Sequence, residues 1–437
     1  MINDSGHDGR ILNELSLNRS PAGRKNPAGD FLLPAKHAFG IMRENSNEFR
    51  KDRHHMKFFH LSDLHIGLKL INRDLREDQE YILHQITELA VQEQPDVLVI
   101  AGDIYDKAVP SAEAMEVLDG FISELTEKLP DLVIMMISGN HDSAIRVNCY
   151  RNVLARQNLH MIGMPPVRSE EWMEKIVLRD AYGPVNFYLL PFVKPSMVKQ
   201  ITGTDEKGNN LSYDETIRRL IAREDINDSE RNVFVSHQFY LPAGKDADEI
   251  ERMDSEIRTV GNIDEVSAEV LQVFDYAALG HIHKPMKVGS EYYRYCGTPL
   301  ACSVSEAGQE KGVIEVELGE KGEVKTRVLP LKPLRQIKVL KGSTEEVLAQ
   351  SCEDYVSVTL TDQPDFDTQD RIRAAFPYLL EIRREMLSQR EHAVAWKAQE
   401  KMDPFDTCCS FLGDTTDEEK EILQDVVNTV FTGGAAE

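Results

Sequence analysis

The sequence lacks any long, uninterrupted apolar run. A helix that crosses a bilayer needs about 20 consecutive, mainly apolar residues, and no such stretch occurs among the 437 residues. The N-terminus also lacks the order of charged, apolar and small residues that defines a signal peptide. These two absences argue against a membrane-bound or secreted protein, and we expect a cytoplasmic one.

Cysteine is scarce and poorly arranged for bridging. The chain has six cysteines and no C-x-x-C pair, and Cys408 and Cys409 are adjacent, which disfavours a bond between them on geometric grounds. A disulfide framework is therefore not expected, and the pattern favours a reducing compartment.

Positive charge is also in short supply. The sequence has 50 Lys and Arg residues against 74 Asp and Glu residues, which gives a formal net charge of −24. A uniformly basic face for nucleic acid is therefore not expected. Nucleic acid is not excluded, because bound divalent ions, a local basic channel or a partner protein can also hold a phosphate backbone.

The length and the changes in composition predict several domains. Residues 1–55 are polar and without periodicity, which predicts a disordered leader. Met56 stands directly before the first predicted strand, so translation could begin there and the leader would precede the true start; a short regulatory or targeting tail is the alternative. Composition shifts again near residues 329–333.

We expect three parts after this leader. A main domain covers residues 56–332, a small α+β domain covers residues 333–405, and a helical segment covers residues 406–437. In the last part, the Thr416 and Glu419 pair predicts a capped helix with one apolar face.

The main domain alternates strand and helix patterns. Residues 97–101 and 132–137 are predicted to be buried strands, while residues 74–92 and 111–128 have helical spacing. Strands that alternate with helices predict an α/β core.

The second half of this domain has shorter apolar runs. Residues 292–296 and 312–318 are predicted strands of a second sheet, so that two sheets would lie between helices. The charged segment 244–261 has no clear apolar stripe, and we expect it to be a surface loop, which could touch substrate if it crosses near a site.

Five predicted strands each lead into residues that can bind a metal ion. Glycine or serine precedes most of these residues, which lets the backbone turn sharply and keeps side-chain bulk out of a site. The junctions carry Asp63 and His65; Asp103; Asn140, His141 and Asp142; His237; and His281 and His283. One such histidine alone is more simply a buried or surface residue, but five independent junctions predict a shared site.

The chemistry of this set predicts two metal ions. Carboxylate, imidazole and amide ligands without thiolate suit Mn²⁺, Fe²⁺ or Zn²⁺, and they exclude a cysteine-rich structural zinc site. Two ions about 3.5 to 4 Å apart that share one carboxylate would use all these ligands and would clamp a phosphoryl group. We predict that Asp103 is shared, with Asp63, His65 and His283 completing one ion and Asn140, His237 and His281 the other.

Two further residues have predicted catalytic roles. His141, next to Asn140, can donate a proton to a leaving oxygen or stabilise charge on the phosphoryl oxygens. Asp142 can orient His141 or one of the metal ligands.

These motifs carry a family resemblance. Residues 63–65, 102–103, 139–142 and 280–283, with His237, resemble the motifs of the calcineurin-like metallophosphoesterase superfamily. Within it, the chain resembles the SbcD family, the nuclease subunits of bacterial SbcCD complexes. That closer likeness rests on residues 58–67, 275–285 and 295–300, and it extends from Met56 to the C-terminal helix.

The resemblance implies a four-layer α-β-β-α sandwich followed by a small α+β domain that caps DNA. It also implies Mn²⁺-dependent, ATP-assisted cleavage of double-stranded DNA ends, as a 3′-5′ exonuclease, and endonucleolytic cutting of hairpins in repair and recombination. The implied partners are a second copy of the chain and two SMC-like ATPase subunits of the SbcC type. The C-terminal segment would dock on the ATPase, and the complex would act at the nucleoid. Archaeal and eukaryotic relatives have histidine at the position of Asp106, so that residue's substrate-positioning role is not carried over.

Two other functions are compatible with the same residues. A stand-alone phosphoesterase could act on small phosphate esters or phosphoproteins, although protein phosphatases of this superfamily usually have glutamate at the position of Asp142. The extra domain after Pro333 also favours a large substrate. A structural adaptor with a degenerate site is the third alternative, and it is disfavoured because no ligand position is missing.

Overall fold

A computed structural model of the chain describes residues 55–242, 244–245, 250, 252–256, 264–385, 405, 408–409 and 416–432. The predicted leader, residues 1–55, lies outside this part except for His55. Most of residues 386–415 also lie outside it.

The described strands and helices follow the alternation of the sequence. In chain order the strands are β1 Met56–Leu61, β2 Lys69–Leu70, β3 Arg73–Asp74, β4 Val97–Ala101, β5 Val133–Ile137, β6 Leu159–Ile162, β7 Glu174–Asp180, β8 Gly183–Leu190, β9 Arg231–His237, β10 Phe239–Leu241, β11 Glu265–Ser267, β12 Tyr276–Gly280, β13 Met286–Lys287, β14 Tyr293–Tyr295, β15 Lys311–Leu318, β16 Val324–Leu331, β17 Ile337–Gly342, β18 Tyr355–Leu360 and β19 Leu379–Arg384. The α-helices are α1 Arg76–Glu93, α2 Ala112–Lys128, α3 Ala144–Val147, α4 Arg151–Leu154, α5 Lys199–Thr202, α6 Tyr213–Arg223, α7 Thr344–Leu348, α8 Thr368–Ala375 and α9 Asp417–Thr432.

Two six-stranded mixed sheets form the centre of the main domain. The first has the strand order β16-β15-β1-β4-β5-β6, and the second has the order β13-β14-β12-β9-β8-β7. Strands β1, β4, β5 and β6 pair in parallel, and so do β8, β9, β12 and β14. Parallel pairing places the carboxyl ends of neighbouring strands at one edge of each sheet.

The sheets pack face to face and helices cover their outer faces. Strand β1 shows the arrangement, because successive side chains point to opposite faces. Met56 and Phe58 belong to the apolar cluster between the sheets, whereas Phe59 and Leu61 belong to the cluster shared with α1 and α2. Helix α6 packs in a third cluster on the outer face of the second sheet. The four-layer α/β fold predicted from the sequence is therefore confirmed.

One strand lies in a different sheet from the one we predicted. Residues 312–318 form most of β15, which pairs antiparallel with β1 in the first sheet, with Phe58 opposite Val316. The prediction of a second-sheet strand was wrong because an apolar strand that is buried on both faces fits either sheet equally well. Residues 292–296, in contrast, contribute β14 to the second sheet as expected.

A small three-stranded parallel sheet follows the main sheets along the chain. Its strand order is β17-β18-β19, and α7 and α8 pack on it around a separate core that includes Val347, Val358 and Phe376. Arg335 joins this region to α1, because its guanidinium contacts Asp78 and Glu77 at 2.9 and 2.7 Å.

Helix α9 begins as the sequence predicts. The Thr416 backbone N–H and hydroxyl donate to Glu419, and the Glu419 N–H donates back to the Thr416 hydroxyl. Among the described residues, no helix is both long and apolar enough to cross a membrane. All six cysteines fall in the described part, and none forms a disulfide.

Candidate metal centre

The predicted site residues converge where the two sheets end. Asp63, Asp103 and Asn140 follow β1, β4 and β5 of the first sheet. His237 is the last residue of β9, and His281 follows β12 in the second sheet. Because both sheets present these strand ends at the same edge, residues more than 200 positions apart come into contact.

Four of these residues have unusual backbone conformations. Asp63, His65, Asp103 and His281 have φ angles of 54, 43, 49 and 105°. Positive φ is uncommon for residues with a side chain, and glycine would adopt it without strain. Carboxylates and imidazoles at these positions, where glycine would be unstrained, therefore indicate that the side chains are needed. The rings of His281 and His283 are both buried near the other candidate ligands.

Glycines make room for the ligands. A Cβ atom at Gly139 would collide with the Asp103 carboxylate, and one at Gly102, where φ is +92°, would collide with the His237 ring. The expectation that glycine keeps side-chain bulk out of the site is confirmed at these two positions.

One group of facing atoms, which we name half-site 1, contains Asp63, His65 and His283. The Nε2 atoms of His65 and His283 are 3.1 Å apart. Asp63 Oδ1 lies 3.9 Å from the Nε2 of His283, and Asp103 Oδ2 lies 3.9 Å from the Nε2 of His65. All four side chains are buried.

The other group, half-site 2, contains Asn140, His237 and His281. The Asn140 Oδ1 atom lies 3.0 Å from His237 Nε2 and 2.8 Å from His281 Nδ1. The same His237 nitrogen is 3.2 Å from Asp103 Oδ2. Asp103 thus lies between the two half-sites, as a shared ligand must.

Burial and neighbouring charges shift the pKa values of the candidate ligands in different directions. Burial, followed by neighbouring imidazoles, holds the pKa values of His65 and His281 well below the usual range, so both rings offer lone pairs at neutral pH. Burial would also lower the pKa of His237, but the carboxylates of Asp103 and Asp63 outweigh it and raise that pKa to about 9. Burial raises the pKa of Asp63, so its charge is poorly stabilised without a cation.

His141 borders both carboxylate and histidine ligands. Its backbone N–H donates to Asp103 Oδ1 at 2.8 Å, and its ring lies edge-on to that of His65 at 4.7 Å. Its Nδ1 lies 3.0 Å from the Asp106 carbonyl oxygen, so Nδ1–H donates to it and Nε2 is the nitrogen that can exchange a proton. The Asp106 carboxylate lies 4.0 Å from the Nδ1 of His65.

Asp142 fixes the backbone near Asp103. Its carboxylate accepts hydrogen bonds from the backbone N–H groups of Ile104, Tyr105 and Gly139 at 2.9 to 3.0 Å. Burial, with the nearby Asp103 charge, raises the pKa of Asp142 to about 6. Asp142 therefore positions the loop that carries Asp103 rather than the ring of His141.

Comparisons with known proteins agree with this geometry. Residues 56–285 match the calcineurin-like phosphoesterase family, and residues 330–416 match a family described as the type 5 capsule protein repressor C-terminal domain. The chain is 33% identical over 301 residues to the D subunit of the nuclease SbcCD from Staphylococcus saprophyticus, which covers 68% of this chain and 75% of that protein. The chain belongs to the SbcD family of calcineurin-like phosphoesterases.

Two solved structures are similar to this chain at low identity. TT1561 of Thermus thermophilus is 12% identical, covers 63% of this chain and 99% of its own, and has a TM-score of 0.36. A dimetal phosphatase from Danio rerio is 14% identical, covers 62% and 98%, and has a TM-score of 0.38.

Divalent metal ions fit the centre of this SbcD-family chain. Oxygen and imidazole donors face one another in the buried half-sites. Among the described residues, the carboxylates of Asp63 and Asp103 have histidine neighbours and no lysine or arginine ion-pair partner. Metallophosphoesterases of this family use such ions, and the resemblance seen in the sequence is confirmed at the level of family and fold.

Several residues that hold the centre were not predicted from the sequence. The segment 244–261 was predicted to be a surface loop, but Arg252 and Glu256 are only 8% and 7% exposed and contact His281 and the backbone of His283. That prediction was wrong for Arg252, Met253 and Glu256, although Asp254 is exposed as expected, because a charged segment without periodicity shows no sign of its burial. Glu306 and Lys311 are also buried beside His283, and the only hint in the sequence is their opposite charge.

His60, in β1, is a buried core residue and not part of the candidate centre. Its Nδ1 and Nε2 atoms lie 3.0 and 3.2 Å from the Tyr276 hydroxyl and the Leu279 carbonyl. Burial lowers its pKa to about 3, so the ring is neutral and both nitrogens are satisfied.

Proposed function

We propose that this protein is the nuclease subunit of an SbcCD-type complex and hydrolyses DNA phosphodiester bonds with two Mn²⁺ ions. The observation that carries the proposal is the convergence of both half-sites on Asp103 in a chain related to the D subunit of the nuclease SbcCD. The proposed activities are 3′-5′ exonuclease action on double-stranded ends and endonuclease action on hairpins during DNA repair and recombination. Such work would be done in the cytoplasm at the nucleoid.

The proposed ligands are those of the two half-sites. Asp63, His65 and His283 would hold one ion, Asn140, His237 and His281 would hold the other, and Asp103 would be shared. Two divalent ions in this position would stabilise the charge on a phosphoryl group and would lower the pKa of a water molecule, which makes that water a stronger nucleophile. Their identity as Mn²⁺ is part of the proposal.

The protein's own residues would act around the scissile bond. His141 has its Nδ1–H fixed by the Asp106 carbonyl, so its Nε2 would carry the proton that goes to the departing oxygen. Asp142 would keep the Asp103 loop in place through its three backbone contacts. A proton delivered to the leaving oxygen accounts for a typical factor of about 100 to 10,000 in such a rate.

The proposed roles of the domains are those that the resemblance to the SbcD family implies. Residues 56–332 would be the nuclease domain, and residues 333–405 would cap the DNA. Residues 406–437 would dock on an SMC-like ATPase of the SbcC type; Ile422 and Val426 of α9 are 65% and 50% exposed at four-residue spacing, which suits packing against a partner helix.

We also propose a homodimer within a heterotetramer that contains two ATPase subunits. Exposed apolar side chains are frequent just after the Asn140 motif, where Ile145, Tyr150 and Val153 are 71%, 78% and 61% exposed. A surface of this kind is typical of a contact between proteins. A Tyr150→Glu and Val153→Glu double variant would be monomeric when its mass is measured by light scattering.

The direct test is cleavage of an end-labelled DNA hairpin by purified protein with Mn²⁺, with and without its ATPase partner. We expect cutting that EDTA abolishes, that the partner stimulates, and that Asp103→Asn and His141→Asn remove. Full Mn²⁺-dependent activity in both variants would refute the assignment. No DNA cleavage, together with turnover of a small aryl phosphodiester, would favour the stand-alone phosphoesterase.

A further inference from the structure

Residues 252–256 contact His281 and His283, the two candidate ligands that follow β12. Arg252 Nη2 lies 3.2 Å from His281 Nε2, and Ser255 Oγ lies 2.7 Å from His283 Nδ1. In each ring, the nitrogen that is contacted is the one that does not face the other candidate ligands. By bonding to one nitrogen of each ring, the segment can influence whether the other nitrogen has a lone pair available for an ion.

The contacts of His283 are compatible with an ion at half-site 1. Its Nε2 faces His65, so an ion there needs the Nε2 lone pair and leaves the hydrogen on Nδ1. Nδ1–H then donates to the Ser255 hydroxyl, which donates to Glu306 Oε1 at 2.9 Å. Lys311 completes the chain by donating to Glu306 Oε2 at 2.7 Å. Every donor in this chain has an acceptor.

The contact of His281 is not compatible with an ion at half-site 2. Its Nδ1 faces Asn140, so an ion would need the Nδ1 lone pair and would leave the hydrogen on Nε2. A guanidinium has donors and no acceptor. Arg252 can therefore bond to Nε2 only when Nε2 is the acceptor and Nδ1 carries the hydrogen. Ion binding at Nδ1 and the Arg252 hydrogen bond exclude each other.

Arg252 is held firmly in this position. Its Nε donates to Glu256 Oε2 at 3.2 Å, and its guanidinium carbon lies 4.4 Å from the centre of the Phe239 ring. Glu256 in turn accepts the backbone N–H of His283 at 3.0 Å. On the other side, the ring of Phe192 stacks on His281 with centres 6.4 Å apart. Neither Arg252 nor the His281 ring can turn away from the other without losing these additional contacts.

We propose that Arg252 opposes ion binding at half-site 2, so that half-site 1 fills first. Arg252 is a positioning residue in this proposal, and the idea rests on the two-ion function proposed above. Its positive charge adds to the effect, because a cation at Nδ1 of His281 is repelled by the guanidinium. Ser255 and Glu306 have the opposite role and favour an ion at half-site 1.

The test is a Mn²⁺ titration of chelator-treated full-length protein, followed by calorimetry and electron paramagnetic resonance. Wild type would bind two ions in separate steps, and one equivalent would give the spectrum of isolated Mn²⁺. Arg252→Met, which removes donors and charge, would strengthen the second step about tenfold and produce the coupled two-ion spectrum at lower Mn²⁺. Ser255→Ala would weaken the first step by a factor of about 10 to 100.

Two further variants complete the design. Arg252→Gln offers an amide oxygen that can accept from Nε2–H, so it would strengthen the second step like Arg252→Met. Arg294→Met removes another partly buried arginine, whose guanidinium bonds to Thr326, and would leave both steps unchanged. If the second Mn²⁺-binding step were unchanged or weaker in both Arg252 variants, the inference about Arg252 would be overturned, but the proposed two-ion function would not. Absence of Mn²⁺ binding in wild type would instead overturn the proposed two-ion function.

Discussion

Two buried acidic clusters of this protein differ in what balances their charge. Asp78 on α1 accepts from the Arg335 guanidinium at 2.9 Å and from the Tyr355 hydroxyl at 2.7 Å. Asp63 and Asp103 contact imidazoles, a hydroxyl and backbone N–H groups, and among the described residues neither forms an ion pair with lysine or arginine. The charge of Asp78 is balanced by arginine, although its Oδ1 has no hydrogen-bond partner among the described residues, whereas the second cluster has negative charge to share with cations.

This difference separates a structural carboxylate from one that is proposed to bind metal. A buried charge is tolerated when a protein partner satisfies it, and removing that partner is costly. In the metal centre, strained backbone and clustered imidazoles keep the carboxylates available. Substitutions in the two clusters should therefore have opposite effects on activity and stability.

The largest effect is expected at the metal centre. Asp63→Asn would lower Mn²⁺-dependent phosphodiester hydrolysis about 1,000-fold, since loss of a ligand removes several kcal/mol of transition-state stabilisation. Its stability without metal would be equal to or above that of wild type, because burial raises the pKa of Asp63 and disfavours the charge that the variant removes. Hydrolysis assays with Mn²⁺ measure the loss of activity, and urea unfolding in EDTA measures the stability without metal. Wild-type activity in this variant would refute the comparison.

The second effect concerns the Asp78 cluster. Asp78→Asn would lower the free energy of unfolding by about 3 kcal/mol, because Arg335 would lose its buried charge partner. Activity per folded molecule would be unchanged. Glu77→Gln is a matched control: its side chain is 71% exposed although it bonds to the same arginine, and the expected loss is below about 1 kcal/mol. Equal losses in urea unfolding for the two variants would contradict this account.

The stabilisation produced by added metal should also distinguish the two clusters. Mn²⁺ at about 100 times its dissociation constant would stabilise wild type by about 2.7 kcal/mol, because the ion binds the folded state. Asp78→Asn would gain the same increment from its lower baseline, and Asp63→Asn would gain much less. Thermal unfolding with and without Mn²⁺ measures these increments, and equal gains in all three proteins would place the ion elsewhere.

The sequence predicted which residues meet at the candidate metal centre better than it predicted their surroundings. Asp63, Asp103 and Asn140 follow apolar, β-branched strands, and that local pattern is visible without a structure. Arg252 and Glu256 lie in a charged segment whose burial depends on the second sheet, and the Asp78 and Arg335 pair joins residues 257 positions apart. No local periodicity reports such contacts, which is also why residues 312–318 were placed in the wrong sheet.

The smallest effect is a pH dependence confined to the metal centre. The pKa of His237 is raised to about 9, so its stabilising contribution is fully present below about pH 6.5 and is lost as the pH rises through 9. An ion needs the neutral ring, so the apparent Mn²⁺ affinity would rise up to about tenfold per pH unit between pH 7 and 9. Calorimetric titrations at pH 7 and 8 in matched buffers measure this. A pH-independent affinity would show that His237 is not a ligand.

The central claim is that Asp103 is shared by two ions. The most direct measurement is the anomalous difference density of crystals soaked in Mn²⁺. The account predicts two peaks about 3.5 to 4 Å apart on either side of the Asp103 carboxylate, one near His65 and His283 and the other near Asn140 and His237. A single peak, or peaks that do not contact Asp103, would contradict it.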